Sequence, residues 1–187
     1  IINTIKDTDA IIYNIGIIRE FPNRNIHFED LHYKSLKNVI KEAEKMDIKR
    51  FILMSANGVK KGGTRYQHTK YLGELELVNS ELKWTIFRPS LIFGDSNGED
   101  EFCQQLKNDM LSLPLPAPLF HEGLLPFNAG KFRMTPIHVK NVASFFVKSL
   151  EMNNTVGKTY ELGGLEDYTW KEIIDIISSS YGKNKWK

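Results

Sequence analysis

The sequence predicts an α/β fold centred on a parallel sheet, and three observations carry that expectation. Phe51 to Met54 is a short apolar run without polar alternation, the pattern of a strand buried on both faces. Segments of helical period, each with one apolar stripe, stand between this run and other strand-like runs, as in sheets whose strands are joined by helical crossovers. The runs exit into small or polar residues, Gly16 and Ser55 among them, and such sheets bind ligands outside the carboxyl ends of their strands.

The first strand is read over Asp9 to Gly16, DAIIYNIG, whose closing Asn-x-Gly suits a backbone that passes close to another group. Arg19 to Phe28 holds Pro22 and two asparagines and is expected to be a mobile loop. Phe28 to Met46 reads as a helix with Leu36, Val39, Ile40 and Ala43 on its inner face. After the Phe51 strand comes the glycine-rich segment Asn57 to Gly63, and Thr64 to Gln67 has the T-x-x-Q form of a capping box. The helix it opens is expected to pack through Tyr71, Leu75, Val78 and Leu82. Trp84 to Arg88 is the next strand, and Pro89 is expected to stop its ladder.

Asp95 to Asp100, DSNGED, is turn-rich, but Asp100 and Leu106 stand where an EF-hand loop needs Gly and Glu. Glu99 to Leu111 suits a short helix. Leu113 to Phe127, with prolines at 114, 116, 118 and 126, suits neither helix nor central strand and is expected to be a long loop, over a substrate or as a cover on the core. Arg133 to Val142 reads as a strand running into a helix with Val139, Val142, Ala143, Phe146, Val147 and Leu150 inward. Lys158 to Leu162 is a strand closed by Gly163 and Gly164. Thr169 then opens a last helix with a capping box to Glu172 and a stripe of Trp170, Ile173, Ile174 and Ile177.

A chain of 187 residues, 41% hydrophobic and 26% charged, can bury a sizeable core and is not disordered in composition. Its 25 basic and 23 acidic residues are dispersed and leave a net charge of +2, which gives no electrostatic footprint for nucleic acid. The single cysteine, Cys103, excludes an internal disulfide and fits a reducing compartment. No apolar run approaches the roughly 20 residues of a membrane-spanning helix. The reading expects a cytoplasmic location. Glu29-x-x-His32 has no second copy with which to build a carboxylate metal site, so no metal is expected and His32 is read as solvated or cofactor-side.

Ser55, Tyr66 and Lys70 carry the candidate chemistry. Tyr66 falls in the first turn of its helix and Lys70 one turn later on the same face. The cation and the positive helix end are both expected to push the phenol below its reference pKa of about 10, which would equip it as a general acid or base. Ser55, at the strand exit, could hydrogen-bond the same substrate oxygen.

A strand ending in Ser55, Tyr66-x-x-x-Lys70, Gly73-Glu74 and the RPSLIFG of Arg88 to Gly94 together resemble the extended and atypical short-chain dehydrogenase/reductase superfamily. Within it the chain is most similar to the NAD-dependent epimerase/dehydratase-like proteins grouped with the nucleotide-binding accessory subunit of respiratory complex I. The resemblance implies a Rossmann-like doubly wound parallel sheet with a small C-terminal substrate-side subdomain, and NAD or NADP as cofactor. It implies Tyr66 as acid/base, Lys70 on the nicotinamide ribose and aiding Tyr66, and Ser55 orienting substrate. It further implies Asn14, Ile15, Gly16, Lys70, Pro89, Ser90, Leu91 and Ile92 as cofactor-lining. His32 aligns where the family pattern has an asparagine that organises the site.

The glycine fingerprint that cradles a dinucleotide pyrophosphate occurs nowhere in this sequence, so the first βα units are expected to be absent and the chain to be a fragment. Residues 1–94 are expected to be the later part of a nucleotide-binding domain. Residues 95–187 are expected to hold the substrate-side subdomain, with 133–151 returning to the main domain. The resulting function is an NAD(P)-dependent oxidoreductase or a sugar-nucleotide epimerase/dehydratase-like protein acting on a small molecule. The alternative is a non-catalytic accessory or assembly subunit of a respiratory NADH dehydrogenase, which would place the chain in the mitochondrial matrix. A homo-oligomer or a respiratory-complex partner is the expected association.

Overall fold

The computed structural model describes residues 5–95, 102–108 and 129–182. The chain forms two compact units, Ile1–Pro89 with Ala143–Leu162, and Ser90–Val142 with Gly163–Lys187. The sequence-based expectation places the boundary after Gly94 and the returning segment at 133–151, whereas the units divide after Pro89 and return at Ala143–Leu162.

The first unit is built on four parallel strands: β1 (Ala10–Tyr13), β2 (Arg50–Met54), β3 (Lys83–Pro89) and β7 (Lys158–Leu162), in the order β1-β2-β3-β7. The register runs Ile11 to Phe51, Ile52 to Thr85 and Phe87 to Tyr160. Phe51 and Ile52 have no exposed surface, so β2 is buried on both faces, as its unbroken apolar run requires. Pro89 is the last residue of the ladder, opposite Leu162, so the ladder stops there as expected, one residue beyond Arg88. Proline lacks only the N–H, and the Pro89 carbonyl still accepts from Asn57 N–H at 3.0 Å.

The segment from Phe28 to Met46 divides in two. Glu29–Lys34 is a π-helix and Ser35–Lys45 an α-helix, α1, which buries Leu36, Val39, Ile40 and Ala43 as expected. Helix α2 (Arg65–Val78) starts from a complete capping box between Thr64 and Gln67. Its inner face departs from expectation: Leu75 and Val78 are each 43% exposed, and Thr69, Lys70, Gly73, Glu74 and Leu77 are buried instead. Leu82 is buried, but in the turn beyond the helix.

Gly73 explains much of that packing. A Cβ there would lie 2.5 Å from the His32 carbonyl oxygen and 2.9 Å from Leu36 Cδ2, so only glycine lets α2 press this closely on the π-helix. The tightly packed site-bearing face therefore follows from a glycine, where an apolar stripe was expected.

Helix α4 (Val139–Glu151) buries Val142, Phe146 and Ser149, while Val139 and Val147 are exposed, contrary to the expected stripe. Phe146 packs on Phe87 of β3 with ring centroids 4.9 Å apart. Arg50, at the start of β2, is almost buried and meets no carboxylate among the described residues. Its guanidinium donates to Lys83 O (2.6 Å), Thr85 Oγ1 (2.8 Å), Ser149 O (2.5 Å) and Thr155 Oγ1 (2.9 Å), which ties two strands to the end of α4.

In the second unit, β4 (Ile92–Phe93) pairs in parallel with β6 (Ile137–His138), and β5 (Arg133–Met134) pairs antiparallel with β8 (Tyr168–Thr169). A short helix α3 (Phe102–Leu106) and the last helix α5 (Trp170–Ser180) contribute Leu106, Trp170, Ile173, Ile174 and Ile177 to its core. The expected capping box between Thr169 and Glu172 is present. The Leu113 to Phe127 loop and the turn beyond Asp95 lie outside the described residues. No helix among the described residues is long and apolar enough to cross a membrane.

Candidate functional site

Because β1, β2 and β3 run parallel, their exits at Asn14, Ser55 and Ser90 leave the sheet at one edge. Ser55 is fixed by its N–H on Phe87 O (2.7 Å), and its Oγ is buried with no hydrogen-bond partner among the described residues. Asn14, Ile15 and Gly16 are exposed after β1.

Lys70 reaches this edge from the second turn of α2. It is only 8% exposed, and its Nζ donates to Met54 O at 3.3 Å. A Cβ on Gly16 would lie 3.0 Å from that Nζ, so the β1 exit and the lysine head are in close approach. Burial pulls the ammonium down to about 8, against the opposing pull of Glu74. Glu74 is itself occupied by Arg88, which donates Nε to Oε1 (2.9 Å) and a terminal nitrogen to Oε2 (2.5 Å). That two-point pair neutralises the carboxylate and leaves Lys70 with little compensation.

Tyr66 stands on the first turn of α2, half-buried against Phe28 (5.6 Å between centroids) and His32 (5.2 Å), both edge to face. Its phenol is raised by burial, which corrects the expected lowering. Burial disfavours the charged phenolate. The phenol is therefore held as a proton donor.

His32 is not solvated, as one branch of the sequence reading had it, but 2% exposed. Its Nδ1 lies 3.0 Å from Thr69 Oγ1, and its Nε2 lies 3.2 Å from Ile17 N and 3.0 Å from Ile17 O. Burial, then the neighbouring Lys70 cation, lower it to about 4, so the ring is neutral. The Arg19 to Phe28 segment, expected to be mobile, holds a hydrogen-bonded turn. Phe21 bridges Ile26, Asn25 adopts a left-handed φ of 54°, and Glu20 takes Phe28 N–H (3.0 Å) and Arg65 (3.0 Å).

The structure thus gathers Gly16, Lys70, Tyr66 and His32, with Ser55 adjoining Met54 in the chain. Pro89 ends β3 in the same unit. Ser90, Leu91 and Ile92 belong to the second unit, where Ile92 pairs with Ile137 and Leu91 lines a cavity of about 430 Å³ with Phe93, His138, Asn141 and Ile173. Sequence reasoning missed Thr69, Glu74 and Glu20 as supports. Glu74 had one legible signal, since a helical carboxylate four residues after Lys70 can face the same side.

These residues fit a dinucleotide. Gly16 is a cradle whose space a Cβ would narrow, and among the described residues Lys70 is a buried donor with one weak carbonyl partner and Ser55 Oγ is a sealed polar atom without a partner. The sequence lacks the pyrophosphate fingerprint, so the fit does not extend to a pyrophosphate cradle.

Comparison with known proteins agrees with this fold. The chain is 27% identical over 183 residues to the mitochondrial NADH-ubiquinone oxidoreductase 40 kDa subunit of Neurospora crassa, covering 97% of this chain and 44% of that protein. It is 29% identical over 173 residues to the mitochondrial NADH dehydrogenase [ubiquinone] 1 alpha subcomplex subunit 9 of Arabidopsis thaliana, covering 90% of this chain and 40% of that protein. The chain thus spans less than half the length of these relatives. Among solved structures, UDP-glucuronic acid 4-epimerase from Bacillus cereus with UDP-glucuronic acid and NAD superposes with a TM-score of 0.73 at 19% identity, over 98% of this chain and 62% of that one. MoeE5 with UDP-glucose and NAD gives 0.75 at 13%, over 98% and 66%. At these identities the likeness establishes the Rossmann-like α/β fold. The family model described as NAD(P)H-binding matches residues 1–110, the stretch that holds β1, Ser55, Tyr66 and Lys70, and the chain belongs to that NAD(P)H-binding family.

Proposed function

We propose that this chain supplies the nicotinamide-ribose side of an NAD(H) or NADP(H) site, with Lys70 as the hydrogen-bond donor to the ribose and Asn14 to Gly16 along the cofactor. The observation that carries this reading is the close approach of Gly16 to Lys70 Nζ at the carboxyl edge of a parallel sheet. Lys70, lowered to about 8, remains mostly protonated at neutral pH and offers its donors from a buried position.

The bound dinucleotide would supply hydride transfer. Tyr66, kept protonated by burial, would give a proton to a substrate oxygen, and Ser55 would hold that oxygen through its unpartnered hydroxyl. This is the chemistry of an oxidoreductase or an epimerase/dehydratase-like enzyme on a small molecule. A second reading has one specific support: the relatives named above are subunits of NADH dehydrogenases described as mitochondrial. In that reading the same site holds nucleotide for stability inside a respiratory complex, in mitochondria, and Tyr66 is idle.

Calorimetry with NADH and NADPH on the full-length protein tests the site. Lys70→Met should weaken binding at least tenfold, and unchanged affinity would overturn the assignment. Tyr66→Phe separates the readings: it removes the exchangeable proton but keeps the ring, so an enzyme should lose roughly 100-fold or more in turnover with little change in binding. A nucleotide-holding subunit should show no difference.

A further inference from the structure

We infer that His32 is a positioning residue for this site: an imidazole that clamps the Asn14–Ile17 segment to α2 and so keeps Gly16 against Lys70. The inference rests on the nucleotide-site reading only for its effect on affinity. The clamp itself is a matter of geometry.

Both ring nitrogens are engaged, each on a different element. Nε2 addresses the Ile17 peptide, accepting from its N–H (3.2 Å) in one neutral tautomer and donating to its carbonyl (3.0 Å) in the other. Nδ1 pairs with Thr69 Oγ1 (3.0 Å), whose oxygen also lies 2.9 Å from the Arg65 carbonyl of α2. The ring therefore bridges the β1 exit and α2 in either tautomer. Its own backbone packs closely on α2, with the His32 carbonyl oxygen 2.5 Å from where a Cβ on Gly73 would stand. π-turns inside helices are frequent at functional sites. Here the His32 side chain meets the peptide directly after Gly16, and its Nε2 lies 3.5 Å from the position of a Gly16 Cβ.

Phe28 stacks on the ring at 5.2 Å and Tyr66 meets it edge-on at 5.2 Å, so the imidazole has no room to rotate away. Without the ring nitrogens, the exposed Asn14 to Gly16 segment keeps no side-chain hydrogen bond to α2 through Ile17 among the described residues. It would be free to leave Lys70, and the cofactor would then have to order the segment on binding.

The test compares His32→Phe with His32→Gln in the full-length protein. Phenylalanine keeps the ring packing and removes both hydrogen-bonding nitrogens, whereas a primary amide offers the Ile17 peptide a donor and an acceptor together. His32→Phe should weaken NADH binding roughly tenfold at a temperature where it is fully folded, and His32→Gln should stay within about threefold of wild type. Backbone amide exchange over residues 14–19 should accelerate in His32→Phe and stay slow in His32→Gln. A folded His32→Phe protein with wild-type affinity and wild-type exchange overturns the proposal, as does a loss that glutamine does not rescue. If the wild-type protein takes up no NADH or NADPH, the nucleotide-site reading fails, and exchange over 14–19 alone decides the clamp. If His32→Phe does not fold, Thr69→Val releases the ring from its other side and should show the same faster exchange, with unchanged exchange overturning the clamp.

Discussion

Helices α2 and α5 begin alike and end up buried in opposite ways. Each opens on a threonine whose hydroxyl accepts from the third residue's N–H while that residue's side chain returns to the cap. Helix α5 then buries Trp170, Ile173, Ile174 and Ile177, the stripe its apolar periodicity announces. Helix α2 buries Thr69, Lys70, Gly73 and Glu74 beside Leu77, and turns Leu75 and Val78 toward solvent. The local rule that starts a helix is shared. What differs is that α5 buries an apolar stripe and α2 buries polar groups, Glu74 against Arg88 and Lys70 against the Met54 carbonyl.

That contrast predicts different failures. The largest effect is expected at Glu74, 5% exposed and paired with Arg88: Glu74→Ala leaves a half-buried guanidinium without its main partner and should cost about 3–5 kcal/mol in denaturant unfolding. Ile174→Ala in α5 should cost about 3 kcal/mol through a cavity, and the two should differ in remedy. Replacing Glu74 and Arg88 together by leucine and methionine should recover most of the first loss. A double variant no better than Glu74→Ala would show that the pair is not the source.

Acid sharpens the same contrast. His32 has a folded pKa of about 4, below the 6.5 of an unfolded histidine, so the native state favours the neutral ring. The stabilisation is complete above pH 6.5 and is lost as the pH falls from there through about 4, up to about 3 kcal/mol in all. His32→Gln should flatten the stability profile over that window. An unchanged acid slope would show that the ring is not held neutral.

Gly73→Ala should cost about 2 kcal/mol by forcing α2 off the π-helix, and it should also loosen the site, which melting curves and nucleotide titration would read together. The smallest effects are expected at the caps. Thr64→Ala and Thr169→Ala should each cost about 1 kcal/mol, and near-equal losses would confirm that the two helices differ in what they bury rather than in how they start.

The sequence by itself determined the parallel α/β plan, both capping boxes, the inner faces of α1 and α5, and the candidacy of Ser55, Tyr66 and Lys70. These follow from period, capping residues and spacing, which are local properties of a chain. Tertiary structure decided the rest. The burial that raises Tyr66 comes from Phe28 and His32, more than thirty residues away, and the weak compensation of Lys70 depends on Arg88 occupying Glu74. The buried polar face of α2 depends on a glycine meeting a π-turn that no periodicity signals. Electrostatics and close packing are sums over neighbours in space, and a linear pattern carries neither the neighbours nor their distances.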